Sequence, residues 1–121
     1  KNSIVGPHTE VIRSVVLDNS ILSHKIILPD SVVGNDVTCG GGTTICNCSP
    51  SKDGKSNKPV VKSWYKDEMR EHDGRYGTYI GDGSMMGAHT IIMPGAYVGE
   101  NSRIIGQCSV YKNNKVRSFV K

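Results

Sequence analysis

Aromatic side chains are scarce in this chain: five tyrosines, one tryptophan and one phenylalanine among 121 residues. That leaves little with which to stack bases, and no nucleic-acid motif accompanies the basic residues, so no nucleic-acid partner is expected. The net charge is a modest +4. Its basic residues gather in two places, one at Lys52, Lys55, Lys58, Lys62, Lys66 and Arg70, the other at Lys112, Lys115, Arg117 and Lys121. A solvated basic face is the plain reading of these clusters, and the phosphates of a small ligand are the specific one. No apolar run approaches the ~20 residues of a membrane span and no signal-peptide pattern is visible, so no membrane partner and a cytoplasmic location are expected. The four cysteines (Cys39, Cys46, Cys48 and Cys108) match no familiar metal spacing. Reduced thiols and no metal are therefore expected, with a metal or disulfide at Cys46 and Cys48 left open.

What the chain does have is a repeat. Stepping by six from Ile80 gives Met86, Ile92, Val98, Ile104, Val110 and Val116. Four residues after each of the first five rungs comes a small side chain: Ser84, Thr90, Ala96, Ser102 and Cys108. A period of six fits neither the 3.6 of a helix nor the alternation of a strand. It is the hexapeptide pattern of a parallel β-helix, in which one aliphatic and one small residue per hexad fill a narrow core. Cys39 and Cys108 fall on such inward positions and are expected to be buried thiols.

The first half carries the same ladder in two registers. Val5, Val11 and Leu17 step by six, and Ile27, Val33, Cys39 and Ile45 resume the count after a slip placed near residues 23–25. Such a slip requires a bulge or a corner loop, since it would otherwise exchange inward and outward side chains. Over residues 46–79 the ladder vanishes in a polar, lysine-rich stretch, as expected of a functional insertion or a disordered loop. Within it, 60–65 reads as a strand of a small hairpin and 66–72 as a short helical turn. One domain of about five coils follows, too thin to bury much interior on its own, and a homo-oligomer is expected. The chain begins at Lys1 rather than methionine, which suits the end of a longer protein.

With the repeat placed, segment 24–47, HKIILPDSVVGNDVTCGGGTTICN, becomes readable. His24, Asp30, Gly34, Val37, Gly40, Gly42, Thr43 and Asn47 stand at spacings that resemble the acetyltransferase domain of the bifunctional sugar-1-phosphate nucleotidyltransferase/acetyltransferases. Downstream, GRYGTYIGD at 74–82 and IMPG at 92–95 resemble the archaeal form of that family, polar insertion included. The hexads alone are shared by many unrelated transferases; the 24–47 block is the specific part.

The resemblance implies an all-β, left-handed parallel β-helix that assembles as a homotrimer with active sites between subunits. It implies transfer of acetyl from acetyl-CoA, as co-substrate, to the amine of glucosamine or galactosamine 1-phosphate. His24 is carried over as the general base, a role that suits a side chain titrating near neutrality. Asn47 is carried over as a hydrogen-bonding group for substrate or CoA, with turn capping as its plain alternative. The run Gly40–Gly42 offers close backbone approach, and an N–H there can steady a developing oxyanion. Gly41, Gly42, Lys52, Lys55, Arg75, His89 and Arg103 complete the candidate substrate- and CoA-binding set. The chain also departs from the family pattern, with Ile27 in place of a tyrosine, Thr38 of an asparagine, Gly41 of an alanine and Pro29 of a glycine. Those changes motivate a second reading, a non-catalytic β-helix serving trimer assembly or regulation of a nucleotidyltransferase. A third, a γ-type carbonic anhydrase, needs three zinc-binding histidines, and His8, His24, His72 and His89 are widely spread.

Overall fold

The computed structural model describes residues 1–49, 60–65 and 68–111. Among them there is no helix; short strands coil into a left-handed parallel β-helix of about five turns. The first coil is β1 (Ile4–Val5), β2 (Glu10–Ile12) and β3 (Val15–Val16). The second is β4 (Ile21–Leu22), β5 (Ile27–Pro29) and β6 (Val32–Val33). In the third, β7 (Thr38–Cys39) and β8 (Thr44–Ile45) are followed by an antiparallel hairpin, β9 (Val60–Tyr65) and β10 (Glu68–Asp73), before β11 (Tyr79–Ile80) closes the turn. β12 (Met85–Met86), β13 (Ile91–Ile92) and β14 (Tyr97–Val98) form the fourth coil, and β15 (Arg103–Ile104) and β16 (Ser109–Val110) begin the fifth.

Stacking these coils makes three parallel sheets: β1-β4-β7-β12-β15, β2-β5-β8-β13-β16 and β3-β6-β11-β14. The second residue of the strands in coils two to five points inward, and Leu22, Leu28, Val33, Cys39, Ile80, Ile92 and Val98 are fully buried. Burial pushes the Cys39 thiol up to about 12, as expected for a core thiol. Cys108 is partly buried against the same core. The small inward positions hold hydroxyls because the corner backbone supplies their partners. Ser20 Oγ donates to Gly34 O at 2.8 Å and accepts from Val37 N at 3.0 Å; Thr43 Oγ1 donates to Gly40 O at 2.7 Å. Each buried polar group is thus satisfied inside a core too narrow for a larger side chain.

Two expectations need correcting. The inward residues of coils one and two are Val16 and Leu28, not Leu17 and Ile27, and Ile27 is 42% exposed. The cause is coil length: partners are seventeen residues apart in the first coils (Ile4 opposite Ile21, Ile21 opposite Thr38) and eighteen in the last (Met85 opposite Arg103). The missing residue is lost at the corner between the second and third sheets, where Val11 steps to Val16 and Leu28 to Val33, rather than near His24. At that same corner, in the third coil, the insertion leaves and returns. The second correction concerns the helical turn over 66–72: from residue 68 the structure has the strand β10 instead, its backbone bonds going to β9, and residues 66 and 67 lie outside the described residues. Val116, the last rung of the ladder, lies outside the described residues.

Candidate functional site

The corner joining the first sheet to the second is stacked coil on coil. Its left-handed position is filled successively by His8, Lys25, Gly42, His89 and Gln107, with φ between 51° and 73°. In the third coil the corner is Gly41-Gly42, bare of side chains, and the neighbouring coils fill the space. A methyl group on Gly41 would lie 2.6 Å from Cε1 and 2.7 Å from Nε2 of His24, so the imidazole rests on the glycine from the second coil. On the other side, a methyl on Gly42 would lie 2.5 Å from Nδ1 of His89, from the fourth coil. Four candidate residues (His24, Gly41, Gly42 and His89) are therefore brought together across three coils.

Backbone bonds fix this corner. Gly42 N–H donates to His24 O at 3.0 Å, Gly40 N–H to Met86 O at 2.8 Å, and His89 N–H to Gly41 O at 2.9 Å. Among the described residues no backbone carbonyl accepts from Gly41 N–H, which leaves that amide as the donor of the glycine run. Ser23 Oγ lies 3.1 Å from Nδ1 of His24. When the serine oxygen accepts from Nδ1–H, Nε2 carries the lone pair, the tautomer a base requires.

A second polar group stands at the corner between the second and third sheets. Arg13 clamps Asp30 with Nε to Oδ1 at 2.6 Å and Nη2 to Oδ2 at 3.0 Å. Asn47 Nδ2 donates to the same Oδ2 at 2.6 Å. Asp30 also ties down the insertion: its carbonyl accepts from Gly77 N–H at 3.0 Å, while Asn47 O accepts from Tyr76 N–H at 2.8 Å. The Arg13 hydrogen bond, chiefly, holds the Asp30 carboxyl below the usual carboxylate range; partial burial opposes it, while the Asn47 amide and the charges of Arg13 and Arg75 add to it. Asn47 and Arg75 thus share a corner with Asp30, one of the residues on which the resemblance rested, and with Arg13, which the sequence had not singled out. Its signal was the spacing 13, 30 and 47, one residue per seventeen-residue coil.

Because its pKa is depressed in the folded chain, Asp30 contributes stability above the unfolded carboxylate pKa of ~3.9, and loses it as pH falls through the lower folded value. We expect the stability difference between wild type and Asp30→Asn to be largest near neutrality and to vanish in strong acid. Urea unfolding of both proteins across a pH series checks this; a difference that persists unchanged into acid would refute it.

The two corners lie at opposite ends of β8, Gly42 and Asn47 being five residues and so at most about 17 Å apart. Arg103 sits elsewhere, at the third corner, with Nη1 on Gly83 O at 2.7 Å and Ser102 O at 3.1 Å. Lys52 and Lys55 lie outside the described residues. The hairpin packs on the fourth coil: a methyl on Gly95 would meet the Lys62 carbonyl. His72 stacks on Tyr76 with ring centroids 4.1 Å apart and contacts Ser63 Oγ through Nε2 at 2.5 Å. All four cysteines are unpaired, and no group of three potential metal ligands occurs among the described residues. Nor is any helix there long and apolar enough to cross a membrane.

The fold is a hexapeptide-repeat β-helix, and its third coil carries this histidine-glycine corner. Proteins homologous over the whole chain are the GlmU and sugar-1-phosphate nucleotidylyltransferase/acetyltransferase proteins, as the 24–47 resemblance implied. The chain is 36% identical over 123 residues to the bifunctional sugar-1-phosphate nucleotidylyltransferase/acetyltransferase of Sulfurisphaera tokodaii, covering 100% of this chain and 29% of that protein. It is 29% identical over 120 residues to the bifunctional protein GlmU of Methanococcus aeolicus (99% of this chain, 28% of the relative). With GlmU of Wigglesworthia glossinidia brevipalpis it shares 32% over 121 residues (100% and 22%). The chain therefore spans less than a third of the length of these relatives. No family model matches it.

Proposed function

We propose that this chain is the acetyltransferase domain of such a bifunctional protein, moving acetyl from acetyl-CoA to the amine of glucosamine or galactosamine 1-phosphate. The observation that carries the reading is the placement of His24, its ring laid on side-chain-free Gly41 with Ser23 at Nδ1. His24 Nε2 takes the proton of the attacking amine as the N–C bond to the thioester carbon forms. Gly41 N–H donates to the carbonyl oxygen as it gains charge. The C–S bond then breaks, and the departing CoA thiolate recovers the proton from the imidazolium. Asn47 binds the sugar from the corner at the far end of β8, and His89 lines the His24 corner. Lys52, Lys55, Arg75 and Arg103 serve the phosphates of the two substrates.

A homotrimer fits this reading, because an active site between subunits would let one chain's His24 corner meet its neighbour's Asn47 corner. The outward column of the third sheet, Val15, Val32, Tyr79 and Tyr97, is apolar throughout its four strands, and Tyr79 stacks on Tyr97 at 5.3 Å. Such a face suits burial against another copy. The unpaired thiols fit a reducing cytoplasm.

Thiol release from acetyl-CoA, measured with each amino-sugar phosphate in turn, tests the proposal, and turnover with one of them is the expected result. Ile27 favours one alternative: it places an exposed apolar side chain on the sheet between the two corners. A correctly assembled protein without turnover on either sugar would leave the chain as an assembly or regulatory domain.

A further inference from the structure

Asp30 is a carboxylate, and an ionised carboxylate only accepts hydrogen bonds. The Asn47 amide that meets it at 2.6 Å must therefore present its nitrogen. With Nδ2 turned inward, Oδ1 points the other way, and nothing among the described residues donates to it. The carboxylate is in turn fixed by a two-point guanidinium clamp from Arg13 one coil below; this bidentate geometry sets the plane as well as the position of the carboxylate. Asp30 is only 13% exposed at its side chain, whereas Arg13 is 57% exposed. The array thus runs from a solvent-facing cation, through a sheltered anion, to an amide at the mouth of the insertion.

We infer that Arg13 and Asp30 are positioning residues that lock Asn47 with its oxygen outward, so that Asn47 receives a hydrogen bond from an N–H or O–H of the acceptor sugar. The inference rests on the acetyl-transfer reading for its substrate and deepens it. It assigns Asn47 to an ammonium, amine or hydroxyl group rather than to the thioester carbonyl or a phosphate oxygen, neither of which has a proton to give. It also explains why the column repeats at 13, 30 and 47: one side chain from each of three coils builds the clamp.

A double-mutant cycle tests it. Asp30→Asn suits the left-handed backbone at φ 49°, which asparagine tolerates, and exchanges the charge-assisted bonds for neutral ones. In steady-state kinetics with acetyl-CoA and glucosamine 1-phosphate (or galactosamine 1-phosphate, whichever is turned over), Asp30→Asn should raise KM for the sugar roughly fivefold. KM for acetyl-CoA should stay as in wild type. In an Asn47→Ala background, Asp30→Asn should then change nothing further, since a residue acting only through another loses its effect when that partner is gone. Additive losses, or an unchanged KM for the sugar in Asp30→Asn, would overturn the inference. A readout free of turnover runs alongside: the Asn47 side-chain amide pair in a 15N–1H spectrum, assigned by its loss in Asn47→Ala. That pair should be displaced in wild type and move toward free-amide positions in both Asp30→Asn and Arg13→Ala. A pair indifferent to both substitutions sinks the positioning role. If the wild type turns over neither sugar, acetyl transfer falls while the spectra still decide whether Arg13 and Asp30 fix Asn47.

Discussion

Replacing His24 with alanine is expected to slow thiol release from acetyl-CoA in the presence of the amino-sugar phosphate by roughly 10²–10⁴-fold, the usual worth of a positioned general base. The fold should hardly notice. The imidazole is an exposed corner side chain, and the bond from Gly42 N–H goes to the His24 carbonyl, which alanine retains. A surface substitution of this kind stays within about 0.5 kcal/mol of wild type. The residual rate belongs to whatever binding and the Gly41 amide provide, because those survive when the base is gone. The measurement is the rate of thiol release at saturating substrates for both proteins, with unfolding curves to show that both are folded. A mutant that keeps most of the wild-type rate would remove His24 as the base and, with it, the reason for placing the chemistry at the glycine corner.

How far the sequence foretold this site depends on which repeat was being counted. From Ile80 to Val110 stacked partners are eighteen residues apart, so a count of six lands on a buried residue each time. In the first two coils it slips, because a seventeen-residue coil contains one step of five. Nothing in the local composition exposes that step: Val16-Leu17 and Ile27-Leu28 are both pairs of adjacent apolar residues, and either member looks fit for the core. The outward member is apolar too because the sheets present apolar faces to their surroundings, and that ambiguity is physical. His24, Gly41 and Gly42 were legible because a resemblance in motif and a shared corner point to the same residues. Arg13 was not, since its partners appear only once the period of seventeen is known. The hairpin obeys no repeat at all. Its strand β9 could be read from Val60 to Tyr65, but β10 is the charged run around Glu68, Arg70 and Glu71, made a strand by pairing with β9 rather than by its own propensity.

The corrected register carries the second large effect. Leu28 is wholly buried and pairs with Val11 below it, whereas its neighbour Ile27 is 42% exposed beside Thr44. Leu28→Ala would remove three buried carbons from a core one side chain wide, with little room for neighbours to collapse into the gap, and should cost about 2–5 kcal/mol. Ile27→Ala removes the same number of carbons from a half-exposed position and should cost about 1 kcal/mol or less. Had the ladder run through Ile27, the two costs would be exchanged, so urea unfolding of the pair, at one protein concentration because assembly adds to apparent stability, decides the register directly. The consequence extends to the site. In a stacked-coil protein each turn is held mainly by its neighbours, and Leu28 anchors the short strand between His24 and Asp30. A void beneath it should therefore disturb both corners together, so that Leu28→Ala loses activity through loosened geometry, while Ile27→Ala, on the outer face, reports only on what touches the sheet from outside.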